Sequence, residues 1–345
     1  MATQQHVDNV LVHWGEDLVW SERKPVKKGK DETKRILNMI GGVIAGPKAT
    51  PKASGLTPKE VRDHLVGVVR NSPQVVVKIT GGGSDMKRIG SHIDYIARGG
   101  KYKKKGEEEL ELETEEGLVV RGKEARAMLK EQWQMAGAPI PSEAHEFIGS
   151  DGKVKKPRRE ALNVILSMPA GVDREKVKAA ARATAKELFS NHQYVIAHHS
   201  DTDSQHAHVA VKMVGLDGQR MNPRKADLEQ WRIAFAKQLN ARGIEAVATR
   251  RRARLQRPKG ESQAVRQMKD RGVTPDRVKT SEAQPKAVER AQENEKKVVN
   301  AYTHMAQALA VSPDQSDRAL ARDLQRTMQN HGVTIKLAPT IKPRL

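Results

Sequence analysis

Cysteine is absent from the 345 residues, which excludes disulfides and every thiolate metal site and leaves His, Asp and Glu as candidate ligands. Aromatic side chains are scarce at 3%, and hydrophobic residues reach only 37%. So little apolar material predicts one compact domain flanked by poorly packed segments. Also missing is any run approaching the ~20 apolar residues that cross a bilayer. The stretch ILNMIGGVIAG at 36–46 is too short for a span and too far from the N-terminus for an ordinary secretory signal. The expectation is a soluble, cytoplasmic protein with no membrane insertion.

Acidic residues are outnumbered: 62 Lys and Arg stand against 42 Asp and Glu, a formal charge of +20. Such an excess favours a polyanionic partner, because cationic side chains displace counterions condensed on a phosphate backbone. Anionic membrane surfaces would attract it as well.

Three regions follow from composition. Residues 1–72 mix basic runs with GPKATPKASGLTPKE and read as an N-terminal arm and linker. Residues 73–257 carry the periodic elements. QVVVKIT (74–80) reads as a strand, GGGSD as a loop and MKRIGSHIDYIARGGK as a helix ended by glycines. A hairpin in GEEELELETEEGLVVRGK, a helix in EARAMLKEQWQMA and a strand in ALNVILS follow, then a helix capped by Asp173. YVIAHH and HAHVAVKMV form a second hairpin, and Leu228, Trp231, Phe235 and Leu239 mark a helix stopped at Gly243. Residues 258–345 are expected to be basic, helical near 286–311 and 316–330, and too poor in apolar surface for an independent core.

YVIAHHSDTDSQHAHVAV (194–211) sets four histidines and two aspartates between two strand-like runs. Alternate residues on a strand share a face, so His206 and His208 point the same way, about 6.6–6.8 Å apart along the chain. A third ligand is expected from the neighbouring strand, His199 or His198 but not both, with His199 preferred. Three neutral imidazoles leave positions open for substrate oxygens. Asp201 is the preferred acceptor for the other ring N–H of a ligand histidine, with Asp203 as the alternative. Beside a polyanion, such an ion would polarise a scissile phosphate while a nucleophile attacks phosphorus. Tyr95, one of four tyrosines, sits in SHIDYIARGGK between a glycine-rich loop and a basic glycine turn.

HIDYIARGGK, ILSMPAGVD and HSDTDSQHAHV together resemble, in order, the three motifs of the mobilisation-type conjugative relaxases. The resemblance covers about residues 74–250. It implies an α+β fold of the His-hydrophobic-His nuclease type, a central, mostly antiparallel sheet flanked by helices. It further implies Tyr95 as nucleophile, His199, His206 and His208 as metal ligands with Asp201 beside them, Mg²⁺ or Mn²⁺ as cofactor, and Ser167 on the DNA. The family pattern often has Asn where this chain has Lys212, and some members favour the spacing that would select His198.

The activity implied is site- and strand-specific nicking of single-stranded or duplex DNA at an origin of transfer, through a 5′-phosphotyrosyl intermediate. Relaxosome accessory proteins and a type IV coupling protein would be partners, and the protein would travel to the recipient cell on its DNA. Arg98 and Lys101, with Lys103–Lys105, are placed to hold phosphates, and Arg250, Arg251 and Arg252 to clamp duplex DNA. Asp94 or Asp203 is a candidate acceptor for the tyrosine proton, and Tyr102 a candidate second nucleophile, with a base-stacking or surface role preferred. A rolling-circle replication initiator is disfavoured because its tyrosine commonly follows the histidines. A non-enzymatic DNA-binding accessory protein is the alternative from another class.

Overall fold

The computed structural model describes residues 3–19, 57–103, 106, 108–135, 137–199, 204–249, 253, 268–269, 271–273 and 285–337. The chain divides into two compact units, Ser72–Ala248 and a second composed of Met1–Asn71 with Thr249–Leu345.

The first unit is built on a six-stranded antiparallel sheet. Its strands are β1 (Val76–Gly83), β2 (Leu112–Thr114), β3 (Val119–Val120), β6 (Ala161–Ser167), β7 (Tyr194–His199) and β8 (His206–Lys212), in the order β1-β6-β8-β7-β2-β3. A separate ribbon pairs β4 (Phe147–Ile148) with β5 (Val154–Lys155). The α+β architecture expected from the resemblance is the one observed.

Strand alternation sorts the apolar residues into two cores. Val164, Leu166, Ile196, Val209 and Val211 point to one face, where they meet α5 (Arg174–Leu188) through Val177 and Ala181 and α6 (Lys225–Asn240) through Trp231, Phe235 and Leu239. Val195, Ala197 and Ala210 point to the other, against Ile89, Ile93 and Ile96 of α3 (Met86–Ile96) and Leu129 and Trp133 of α4 (Gly122–Met135). A sheet buried on both faces by amphipathic helices explains why its central strands read as nearly continuous apolar runs. On α3, Met86, Ile89, Ile93 and Ile96 form the i, i+3, i+4 stripe that faces the sheet. Asp85 caps its first turn by accepting from the Arg88 N–H at 2.8 Å. Its end is set by Arg98 and Gly100, both at positive φ.

In the second unit, residues assigned from sequence to an N-terminal arm form α1 (Gln4–Val19) and α2 (Pro58–Val69). α1 packs on α2 and on α7 (Pro285–Ala310), and α8 (Gln315–Asn330) packs on α2 and α7. Arg62 of α2 joins three helices, with its guanidinium 2.7 Å from Asp317 of α8 and 2.8 Å from Asp8 of α1. The apolar surface that looked insufficient for each C-terminal helix is completed here. Leu11, Leu65, Tyr302, Met305 and Leu324 are all fully enclosed. Most of 20–56 and 254–284 lies outside the described residues.

Candidate metal centre and nucleophile

β7 and β8 bring the histidines together through their register. His199 lies directly opposite His206, and Ala197 opposite His208, so His199, His206 and His208 project from one face. Ring centroids are 5.1 Å apart for His199 and His206, 4.5 Å for His199 and His208, and 5.1 Å for His206 and His208. One ligand atom from each lies within 4.8 Å of the others. His198 opposes Ala207 and projects from the other face, so it does not join the group.

The surroundings keep the His208 ring neutral. Burial pushes the His208 imidazole down to about 3, helped by His199, His206, His92 and Arg98 nearby. A neutral ring is what a metal requires. Backbone carbonyls orient the ligands. His199 donates from Nε2 to the Ile96 carbonyl at 2.8 Å, and His206 from Nδ1 to the Ser204 carbonyl at 3.0 Å. Carbonyls only accept, so these contacts fix the tautomers and make Nδ1 of His199 and Nε2 of His206 the unprotonated ring nitrogens. His208 Nδ1 is buried with no hydrogen-bond partner among the described residues. A donor set of three converging imidazoles can hold a divalent ion and leave it open positions. Asp201 and Asp203, expected to orient a ligand, lie outside the described residues.

Tyr95 stands beside this centre on the last turn of α3. It is 47% exposed, and its ring centroid lies 6.0 Å from that of His208. An amphipathic helix would normally hide a tyrosine, but Ile93 and Ile96 take the sheet-facing positions and leave Tyr95 on the flank. His92, one turn earlier, lies 5.9 Å from Tyr95 and 6.4 Å from His208. Burial, then His199, lowers its pKa to about 4. Sequence analysis passed over His92, although its i, i+3 spacing to Tyr95 was there to be read.

Asp94, one of the two candidate acceptors for the tyrosine proton, is turned to cations: both its oxygens accept from Lys130 at 2.7 Å, and Arg126 adds a contact at 3.2 Å. Tyr102 places its OH 2.9 Å from Ser91 Oγ and its ring 5.4 Å from Tyr95. Lys101 lies 5.1 Å over the Tyr102 ring. Ser167 pairs with His206 across β6 and β8, one strand from the metal ligands and on their face. The Asn-to-Lys departure is harmless to the centre, because Lys212 is buried and donates to the Trp133 carbonyl at 3.0 Å and Gln193 at 3.2 Å. Lys104, Lys105, Arg250, Arg251 and Arg252 lie outside the described residues.

Residues 106–244 match the family model for the nuclease domain of MobA/VirD2-like relaxases. The match supports a DNA relaxase or nickase role, and the matched segment contains all three histidines and Ser167. α3 and Tyr95 precede the matched segment. No curated protein matched the sequence. No helix among the described residues is long and apolar enough to cross a membrane.

Proposed function

We propose that this relaxase starts conjugative transfer or mobilisation by tyrosine transesterification at an origin of transfer. The observation that carries the proposal is the half-exposed Tyr95 ring 6.0 Å from His208, on a helix whose terminal carbonyl orients His199. Tyr95 Oη attacks the phosphorus at the nick site and the P–O3′ bond breaks. The products are a 5′-phosphotyrosyl link and a free 3′-hydroxyl. One phosphodiester replaces another, so the reverse attack by a 3′-hydroxyl re-joins the strand without ATP.

His199, His206 and His208 are the ligands we assign to the ion, Mg²⁺ or Mn²⁺. Bound there, the ion supplies Lewis-acid polarisation of a non-bridging phosphate oxygen. Ser167, Arg98 and Lys101 hold phosphates of the bound strand, and Asp201 supports the metal centre from the β7–β8 turn. Arg250, Arg251 and Arg252 contribute sequence-independent affinity for the adjoining duplex. Accessory proteins of a relaxosome and a type IV coupling protein complete the reading, with action in the cytoplasm and passage to the recipient on the DNA.

Labelled single-stranded oligonucleotides spanning the candidate transfer origin, incubated with Mg²⁺ or Mn²⁺ and run on a denaturing gel, test this. A covalent protein–DNA band that needs metal and disappears in Tyr95→Phe supports the proposal. Equal adducts from both proteins move the nucleophile to another tyrosine, and no adduct with intact DNA binding removes the transesterification.

A further inference from the structure

Phe147, Ile148 and Val154 are 53%, 75% and 66% exposed on the β4–β5 ribbon, which is not part of the main sheet. Phe147 stands opposite Lys155, and Ile148 opposite Val154, so apolar side chains enter solvent from both faces. A two-stranded ribbon has no core in which to bury them. A cluster of this kind marks a surface that meets a partner.

The surrounding charge selects the partner. Lys153, Lys155, Lys156, Arg158 and Arg159 are all exposed in or beside the ribbon, against Glu146 and Asp151. Cations interleaved with an aromatic and two aliphatic groups match phosphates and base faces together. Continuity with the nucleophile points the same way. A cleft lined by Gly82, Arg88, His145, Lys156 and Arg159 adjoins a second that shares Arg88 and His145 and runs past Ser91 to Lys101, with Asp85 and Glu143 in its lining paired to Arg88 and Lys87. From Arg88 to Tyr95 is seven residues of α3, about 10 Å along the helix axis, the reach of a few nucleotides.

We infer that the β4–β5 ribbon meets the end of the duplex where the strand bound for Tyr95 leaves its complement. Phe147 stacks on the last base pair from one face of the ribbon, Ile148 and Val154 cover the adjoining duplex sugars from the other, and the Arg88–Lys101 path carries the freed strand. This rests on the proposed role of Tyr95 for the direction of the strand, and on the nuclease domain for the choice of DNA.

The test uses the full chain in EDTA, so that no cleavage is involved. The probes are a hairpin duplex with a single-stranded tail, carrying 2-aminopurine in the last base pair, and the same tail alone. In wild type the 2-aminopurine emission rises on binding, as its stacking changes. The triple variant Phe147→Ser, Ile148→Ser, Val154→Ser loses that rise and binds the junction about tenfold more weakly, the scale of a lost base–aromatic stack, while its affinity for the tail is unchanged. Unchanged junction binding, or equal losses for junction and tail, overturns the inference. So does a change of oligomeric state in the variant with DNA binding intact, which would assign the ribbon to a second copy of the chain. A wild type that shows the junction signal here and forms no adduct with metal sinks the Tyr95 proposal and leaves the ribbon's role standing.

Discussion

The ring of His199 donates from Nε2 to the carbonyl oxygen of Ile96 at 2.8 Å, one residue beyond Tyr95. That carbonyl lies at a helix end, where the last turn leaves acceptors without intrahelical partners. A single hydrogen bond therefore sets the tautomer of a candidate metal ligand and ties β7 to the helix that carries Tyr95. The histidine group and the tyrosine are positioned against each other by backbone, which no side-chain substitution at residue 96 removes.

Register makes a sharp distinction between neighbours. His206→Ala and His208→Ala should each weaken Mn²⁺ binding by at least about tenfold in titration calorimetry, as should His199→Ala. His198→Ala, on the opposite face, should leave it within about twofold. The reverse result for residues 198 and 199 would mean that β7 pairs one residue out of register.

Arg126 is enclosed between Glu109, at 2.6 Å, and Asp94, at 3.2 Å. Replacing it with Met strands the partly buried Glu109 and leaves Asp94 to Lys130 alone, and a loss of about 3 kcal/mol in denaturant unfolding is expected. Fixing the start of β2 and the flank of α3, this group also steadies Tyr95, so adduct formation should fall further than stability explains. A variant as stable as wild type would show that water satisfies both acids.

Gly99 is needed for close approach. A Cβ there would overlap the Arg126 guanidinium, which is pinned by its two acids and cannot swing aside cheaply. Gly99→Ala should lower stability by about 1–3 kcal/mol, measured by the urea midpoint. Gly100, at positive φ with open space around it, should cost only about 1 kcal/mol when changed to Ala. Equal costs at the two positions would refute the crowding argument.

His64 in α2 is held neutral by burial, its pKa lowered to about 4, and its Nε2 has no partner among the described residues. Between about pH 6.5 and 4 the unfolded chain binds the extra proton and the folded chain does not, so stability falls as pH drops through that window and levels off below it. His92, His198 and His208, also lowered, act in the same direction. His64→Gln should flatten part of the fall in melting temperature across that range. An identical pH profile in the variant would mean that His64 is solvated.

The local elements were legible because their signals are local. The stripe Met86, Ile89, Ile93 and Ile96 declares a helix, the alternation around His206 and His208 declares a strand with both rings on one face, and Asp173 declares a cap that the Lys176 N–H fills at 3.0 Å. The β4–β5 ribbon was not legible. Its strands are two residues long, and their apolar side chains have no face to hide on.

What the sequence determined alone was the chemistry available and the local backbone: no thiol, a cluster of imidazoles, one tyrosine beside a basic turn, and elements with the right periods. Tertiary structure decided which groups meet. The strand order places β1 beside β6 and β8 beside both β6 and β7, and α3, a hundred residues upstream of the histidines, packs on the face that holds them. Pairings at that separation are set by burial of both sheet faces together, and no short window of sequence contains that information. The grouping of His199 rather than His198 with His206 and His208, the Ile96 carbonyl as its partner, and the union of the first and last helices in one unit were all decided at that level.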